Sequence, residues 1–401
     1  MSFESVARLL LPADGHGEVA RAGERWEAPT SGSRAVIWGR EPSWQPAGLP
    51  LGGYALRREI ALGRLRRRPP GGLTVTAVHR WSHRFYRARI VPSAMWRLRE
   101  GLVVELRRDA DEPRLLDVAA SSAGAERLTR FHIAAGGAIT GFTTISGQRR
   151  GVLRVGDLRS VGNPLRAADA LELLASERQP CVPELLGRGE HGGAAWTLES
   201  LVAGQPPRTL TPELLASVTN FCLGLPRAGG TPAAPREQLA ELAARIPDAG
   251  DMLARLGARI EAGLAGVASV LVHGDLWLSN LLADGGRVSG VVDWDAWHPS
   301  GVPGTDLLHL VAASEAARSQ RTFAELLADR SWRRPLLTDP ALRRYWADLE
   351  IVPGEELLDC VLGSWWASQT AVRLARSPAD AADPEWRRRN VAPVAAWDAL
   401  R

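Results

Sequence analysis

Apolar residues change their spacing about halfway along the chain. Past residue 204 they recur every three to four positions, the spacing of amphipathic helices. Helices are expected over 212–225, 235–245 and 249–265, then over 305–317, 322–327, 340–349, 355–376 and 384–401. Between residues 113 and 203 the apolar runs are short and broken by glycines. There the pattern predicts strands in AAGGAITGFTTISG, RGVLRVG, PCVPELLGRGE and AAWTLESLV, with a helix over 164–176 between the second and third. PRLLDVA reads as a strand entry and 123–132 as a short helix. In the first 115 residues, 73–78 and 102–106 carry strand chemistry, and 55–68 reads as a basic helix ended by Pro69, Pro70 and Gly71. The domains expected are a small α+β appendage over 1–115, a β-rich lobe over 116–202 and a helical lobe over 203–401.

One stretch interrupts the helical half: VLVHGDLWLSNLLADGGRVSGVVDWD, residues 270–295. It reads as a short apolar strand, a polar loop, a second strand, a Gly-Gly turn and a third strand ending in acid. Its polar positions are His273, Asp275, Asn280, Asp293 and Asp295. Magnesium takes hard oxygen ligands, commonly one or two carboxylates or amides together with phosphate oxygens. Folding the hairpin brings Asn280 and Asp293 together for such a role. Asp275, on the same loop as Asn280, is placed to accept a proton from an incoming hydroxyl.

Composition narrows the class. With 401 residues, 45% of them hydrophobic and 23% charged, the chain suits a soluble globular protein of two or three domains. No apolar run approaches the roughly 18 residues of a membrane span, and the first residues lack a basic signal-peptide start. Cys181, Cys222 and Cys360 form neither a metal-ligand set nor a disulfide framework, so a cytoplasmic location is expected. The net charge is +4, and every basic residue other than histidine is arginine. Clusters at 64–70 (RLRRRPP) and 386–390 (WRRRN) are read as solvated surface, with no nucleic acid and no membrane as partners.

HGDLWLSN followed by VVDWD resembles the catalytic loop and metal segment of the aminoglycoside phosphotransferase and choline kinase families, whose pattern is H-G-D-x-x-x-x-N and then D-[WF]-[DE]. GVPGTDLLHL (301–310) resembles the helix that follows, where a Gly/Pro turn precedes an Asp. The likeness spans about residues 116–376. It implies a bilobal protein-kinase-like α+β fold, with a small β-rich N-lobe, a large helical C-lobe and the N-terminal appendage in addition. The function it implies is an ATP-dependent phosphotransferase acting on a small-molecule hydroxyl, with ATP and Mg²⁺ as cofactors; GTP stays open. Asp275 resembles the catalytic base, His273 the structural histidine of the loop, Asn280 and Asp293 the metal ligands, and Asp295 a further metal partner.

The other lobe departs from the family pattern. Where a lysine holds the α- and β-phosphates, this strand carries Arg154, whose guanidinium is larger and forked. The acidic brace falls on Glu172. Gly136, Gly137 and Gly141 occupy the place of a phosphate-covering loop, and Glu199 to Leu201 that of the hinge that binds adenine. The Arg154 substitution motivates an alternative, a pseudokinase-like nucleotide-binding or scaffold protein without turnover. For the acceptor, a sugar, an aminoglycoside-like compound and an amino alcohol fit the resemblance. The scarcity of acid in the late helices favours a neutral or anionic one.

Overall fold

A computed structural model describes residues 8–9, 18–21, 34–39, 73–79, 102–108, 115–125, 129–133, 138–145, 149–158 and 163–399, the last range without 233–234, 330 and 377. The expected helix at 55–68, the basic cluster at 64–70, and Gly136 and Gly137 lie outside these residues. The chain divides into two compact units, residues 1–168 with 184–201 and residues 169–183 with 202–401. The architecture is α+β, with sheets in the first unit and mainly helices in the second.

The first unit contains two sheets. Strands β1 (Glu18–Arg21), β2 (Arg34–Gly39), β3 (Leu73–His79) and β4 (Leu102–Arg108) pair in the order β1-β2-β4-β3, with β1 parallel to β2 and the other pairs antiparallel. The second sheet is antiparallel throughout. It comprises β5 (Thr129–Ile133), β6 (Ile139–Ile145), β7 (Arg149–Asp157), β8 (Leu185–His191) and β9 (Ala194–Ser200), in the order β5-β6-β7-β9-β8. Its inner strand β9 is buried along almost its whole length. The outer strand β8 carries Gly189 directly opposite Trp196. A Cβ on Gly189 would lie 2.8 Å from the Trp196 ring, so glycine is what lets the indole lie against the strand.

Two expectations in this unit are corrected. LLDVAASS forms the helix Leu115–Ser122, not a strand entry, and 129–132 belongs to β5, not to a helix. Leu115 and Ala119, one helical turn apart, are both buried. Gly124, at φ 67°, ends the helix while the Ala125 N–H returns to the Ala120 carbonyl. The glycine thus closes a helix upstream of the one expected over 123–132.

In the second unit the helix Glu355–Arg376 is the post on which the others pack. Helices Arg236–Arg245, Gly250–Gly263, Thr305–Ser319 and Phe323–Ala328 all lie against it. From Leu358 to Ala367 every residue is buried, the signature of a helix apolar on all sides. Asp359 is the charged exception, and it is ion-paired with the buried guanidinium of Arg333, which also donates to the Leu327 carbonyl. The expected helix at 384–401 is two helices, Pro384–Asn390 and Ala392–Ala399. Pro393 has no N–H to continue the first and sits in the opening turn of the second, where that loss costs nothing. The arginines of WRRRN pair with acids: Arg387 with Asp248, Arg388 with Glu385 and Arg389 with Glu325.

His309, on the helix Thr305–Ser319, is buried between Trp365 and Phe323, with ring centroids 4.8 and 5.9 Å away. Burial pulls its pKa down from 6.5 to about 3. Between those values the unfolded chain binds a proton that the folded chain refuses, so stability falls as pH drops through this window. Replacing the imidazole removes that part of the slope. We expect the stability lost by His309→Phe between pH 7 and pH 5 to be smaller than that of the unsubstituted protein by about 2 kcal/mol; urea unfolding at the two pH values measures it.

Candidate active site

The stretch 270–301 folds as its polar and apolar pattern suggests. Strand β10 (Val270–Val272) is fully buried and delivers His273 into the core. A loop and a 3₁₀ turn (Leu278–Asn280) lead into β11 (Leu281–Asp284). Gly285 and Gly286, both at positive φ, turn the chain into β12 (Arg287–Val291). Asp293 follows in the left-handed region, at φ 74° and ψ 56°, a conformation that aspartate tolerates better than most residues. A second 3₁₀ turn (Trp294–Ala296) precedes β13 (His298–Gly301), which pairs antiparallel with β10.

Hydrogen bonds draw the predicted residues together. The Asp275 N–H donates to His273 Nδ1 at 3.3 Å. The imidazole proton is therefore on Nε2, which donates to the Val292 carbonyl at 3.0 Å. The Val292 N–H in turn donates to the Asn280 carbonyl at 3.0 Å. Val292 thus ties the histidine to the asparagine and fixes the residue that precedes Asp293. Asn280 is buried, and its Nδ2 donates to the Asp275 carbonyl at 2.8 Å and reaches Asp275 Oδ2 at 3.4 Å. With the amide nitrogen so engaged, Oδ1 is the end of Asn280 left for a cation. Asp275, Asp293 and Asp295 are half-buried. Trp294 packs its ring 4.6 Å from His273 and donates from Nε1 to the Val291 carbonyl at 3.0 Å.

Asp306 is the residue whose role the sequence did not disclose, although its motif was noted. It is buried in the first turn of Thr305–Ser319. Its Oδ2 accepts from the His273 N–H at 2.7 Å and its Oδ1 from the Gly274 N–H at 2.9 Å. Burial pushes the carboxyl above its ordinary pKa, against the downward pull of His273 and the two N–H bonds. Gly274 itself has φ 79°, and a Cβ there would fall 2.2 Å from the Ala296 carbonyl oxygen, so no other residue fits between the aspartate and the turn. Gln369, which no sequence signal singled out, donates from Nε2 to the Gly274 carbonyl at 3.1 Å.

Among the described residues no group of three or more His, Cys, Asp or Glu side chains is arranged to hold a metal. An amide oxygen and a carboxylate completed by ligand oxygens are a different donor set, and Asn280 with Asp293 fits the hard oxygen chemistry of Mg²⁺. Asp295 lies in the adjoining turn. Trp277, on the loop between Asp275 and Asn280, is 42% exposed and so is not a core residue.

In the first unit, Arg154 sits on β7 opposite Thr140 of β6 and Thr197 of β9. Its guanidinium forms a largely buried ion pair with Glu199, Nε to Oε1 at 3.0 Å. Glu199 therefore offers a side chain to Arg154 where only its backbone had been expected to matter. Glu172 is exposed on the helix Leu165–Ser176. Gly141 lies within β6 opposite Leu153, not in a loop, because the alternating residues from Ile139 onward continue the strand through it. Leu201 is the first residue past β9 and is partly exposed.

Residues 133–346 match the model of the phosphotransferase enzyme family. No curated protein matches the chain. Several solved structures are similar. A macrolide 2'-phosphotransferase from Brachybacterium faecium is 19% identical, with 70% of this chain and 97% of that chain covered and a TM-score of 0.44. An aminoglycoside phosphotransferase from Streptomyces rimosus, in complex with ADP and streptomycin, is 17% identical over 62% of this chain and 95% of that chain, with a TM-score of 0.43. An aminoglycoside phosphotransferase in a ternary complex with ADP and hygromycin B is 17% identical over 69% and 96%, with a TM-score of 0.45.

The double grip of Asp306 can be tested apart from any activity. An amide in its place keeps one acceptor oxygen and turns its NH₂ toward the second N–H. Asp306→Asn is expected to lose about 2 kcal/mol of stability, seen as a lower urea midpoint at an unchanged slope.

Proposed function

Because the chain belongs to the phosphotransferase enzyme family, we propose that it transfers the γ-phosphate of ATP to a hydroxyl group of a small molecule, with Asp275 as the base. The observation that carries this reading is the bonded set His273, Asp275 and Asn280, closed through Val292 onto Asp293. Phosphoryl transfer asks a protein mainly for positioning and for charge around the phosphates, and this set supplies positioning.

Asp275 orients the acceptor hydroxyl and takes its proton as the oxygen attacks phosphorus. His273 stays buried, bracing the loop through both ring nitrogens. Asn280 Oδ1 and the Asp293 carboxylate would hold magnesium, with Asp295 as a further partner. The ion, when bound, neutralises charge on the phosphates. Arg154, oriented by Glu199, is the basic residue that the first unit offers to the α- and β-phosphates, in the role usual for a lysine. The backbone around Leu201 is placed to meet the adenine ring. Trp277, exposed beside Asp275, gives the acceptor an aromatic face suited to a sugar ring or a cation.

An acceptor screen coupled to ADP release comes first. With the acceptor so found, Asp275→Asn is expected to lower kcat on the order of 10²- to 10⁴-fold while Mg-ATP still raises the unfolding temperature. Turnover left unchanged by this substitution sinks the assignment. Asn280→Ala and Asp293→Ala are each expected to abolish the magnesium-dependent part of the ATP-induced thermal shift.

A further inference from the structure

We propose that Gln369 is a positioning residue for Asp275, acting through the peptide that joins Gly274 to it. This inference rests on the assignment of Asp275 as base. The plane of that peptide carries the Gly274 carbonyl on one side and the Asp275 N–H on the other. Gln369 Nε2 holds the carbonyl at 3.1 Å, and His273 Nδ1 accepts from the N–H at 3.3 Å. Asp306 grips the chain one step earlier, at the His273 and Gly274 N–H groups. It therefore fixes where the loop begins, but not the rotation of the next peptide. Glycine adds no steric preference of its own to that rotation.

Of the two bonds on the 274–275 peptide, the one to the imidazole is the longer and hence the weaker. The firmer anchor is Gln369, and it stands on a rigid support. The helix Glu355–Arg376 is buried at every position from Leu358 to Ala367. Gln369 is half-buried just past that run, with Thr370 and Ala371 buried behind it. Its amide reaches from the packed helix to the last carbonyl before the base. Releasing that carbonyl lets the peptide rotate and swings the Asp275 carboxylate away from the line between hydroxyl and phosphorus. In-line transfer tolerates little misplacement.

Two substitutions test the role, assayed as ADP release from Mg-ATP with the acceptor found by the screen. Gln369→Met keeps the length and removes the donor. It is expected to lower kcat on the order of ten- to a hundred-fold and to leave the KM for ATP within about twofold, since binding groups are untouched. Gln369→Glu places at the same point a carboxyl that donates only when protonated. The ratio of its kcat to that of the unsubstituted protein is expected to fall as pH rises through the carboxyl's titration, whereas the ratio for Gln369→Met stays flat. Urea unfolding of Gln369→Glu at each pH separates this from a role in folding alone, which would lower the ratio only where the folded fraction falls.

Wild-type kcat in Gln369→Met, an effect confined to KM, or a flat ratio for Gln369→Glu overturns the proposal. Asp275→Asn, run alongside, separates the failures. If it is inactive while the Gln369 variants behave as the unsubstituted protein, only the positioning role is lost. If it retains full turnover, the assignment of the base falls and this inference falls with it.

Discussion

A buried carboxylate holding two consecutive backbone N–H groups is the contact on which the candidate site depends. Asp306 comes from a helix, and His273 and Gly274 come from the end of a buried strand. A loop that must place a side chain to within a fraction of an ångström gains little from its own side chains, which are mobile. It gains more from having its backbone bonded to elements already fixed by packing. The arrangement is costly in isolation, because a carboxylate removed from water is penalised. The two N–H donors and its place at a helix N-terminus offset part of that penalty.

The same economy of charge recurs away from the site. Asp359 lies inside the fully buried run of the long helix and is matched by Arg333. Asp398, on the last helix, is buried and held by Arg255 and Arg259 of the helix Gly250–Gly263. Arg259 in turn lies 5.1 Å over the Trp397 ring. Such pairs add little net stability against an apolar substitute, but losing one partner is expensive. They therefore act on which helix meets which, and in what register, more than on how tightly the core holds.

Much of this was legible in the sequence, and the parts that were not share a cause. Helices with a buried stripe, such as Arg236–Arg245, and strands with alternation, such as Leu73–His79, declare themselves because their pattern is local. The hairpin after Asn280 was legible because Gly285 and Gly286 can be read as a turn. Misreadings arose where a single residue decides the boundary from outside the periodic segment, as Gly124 and Pro393 do. In the candidate site, Asp275, Asn280 and Asp293 were visible through their spacing. Gln369 was not, since a polar residue on a helix looks the same whether it faces water or a carbonyl 95 positions away. The pairing of Arg154 with Glu199 was hidden likewise, because it crosses two adjacent strands and the register is fixed only by the sheet.

Val292 shows how such wiring can be inherited. Its carbonyl accepts a hydrogen bond from His273 Nε2 and its N–H donates to the Asn280 carbonyl, yet its side chain enters neither bond. Any residue able to extend the chain there keeps the connection, with proline the exception because it lacks the N–H. The link between the two halves of the site is therefore written in chain geometry and left blank in the alphabet of side chains. The coupling that position 292 carries asks for a backbone N–H and a carbonyl, and for no particular side-chain chemistry.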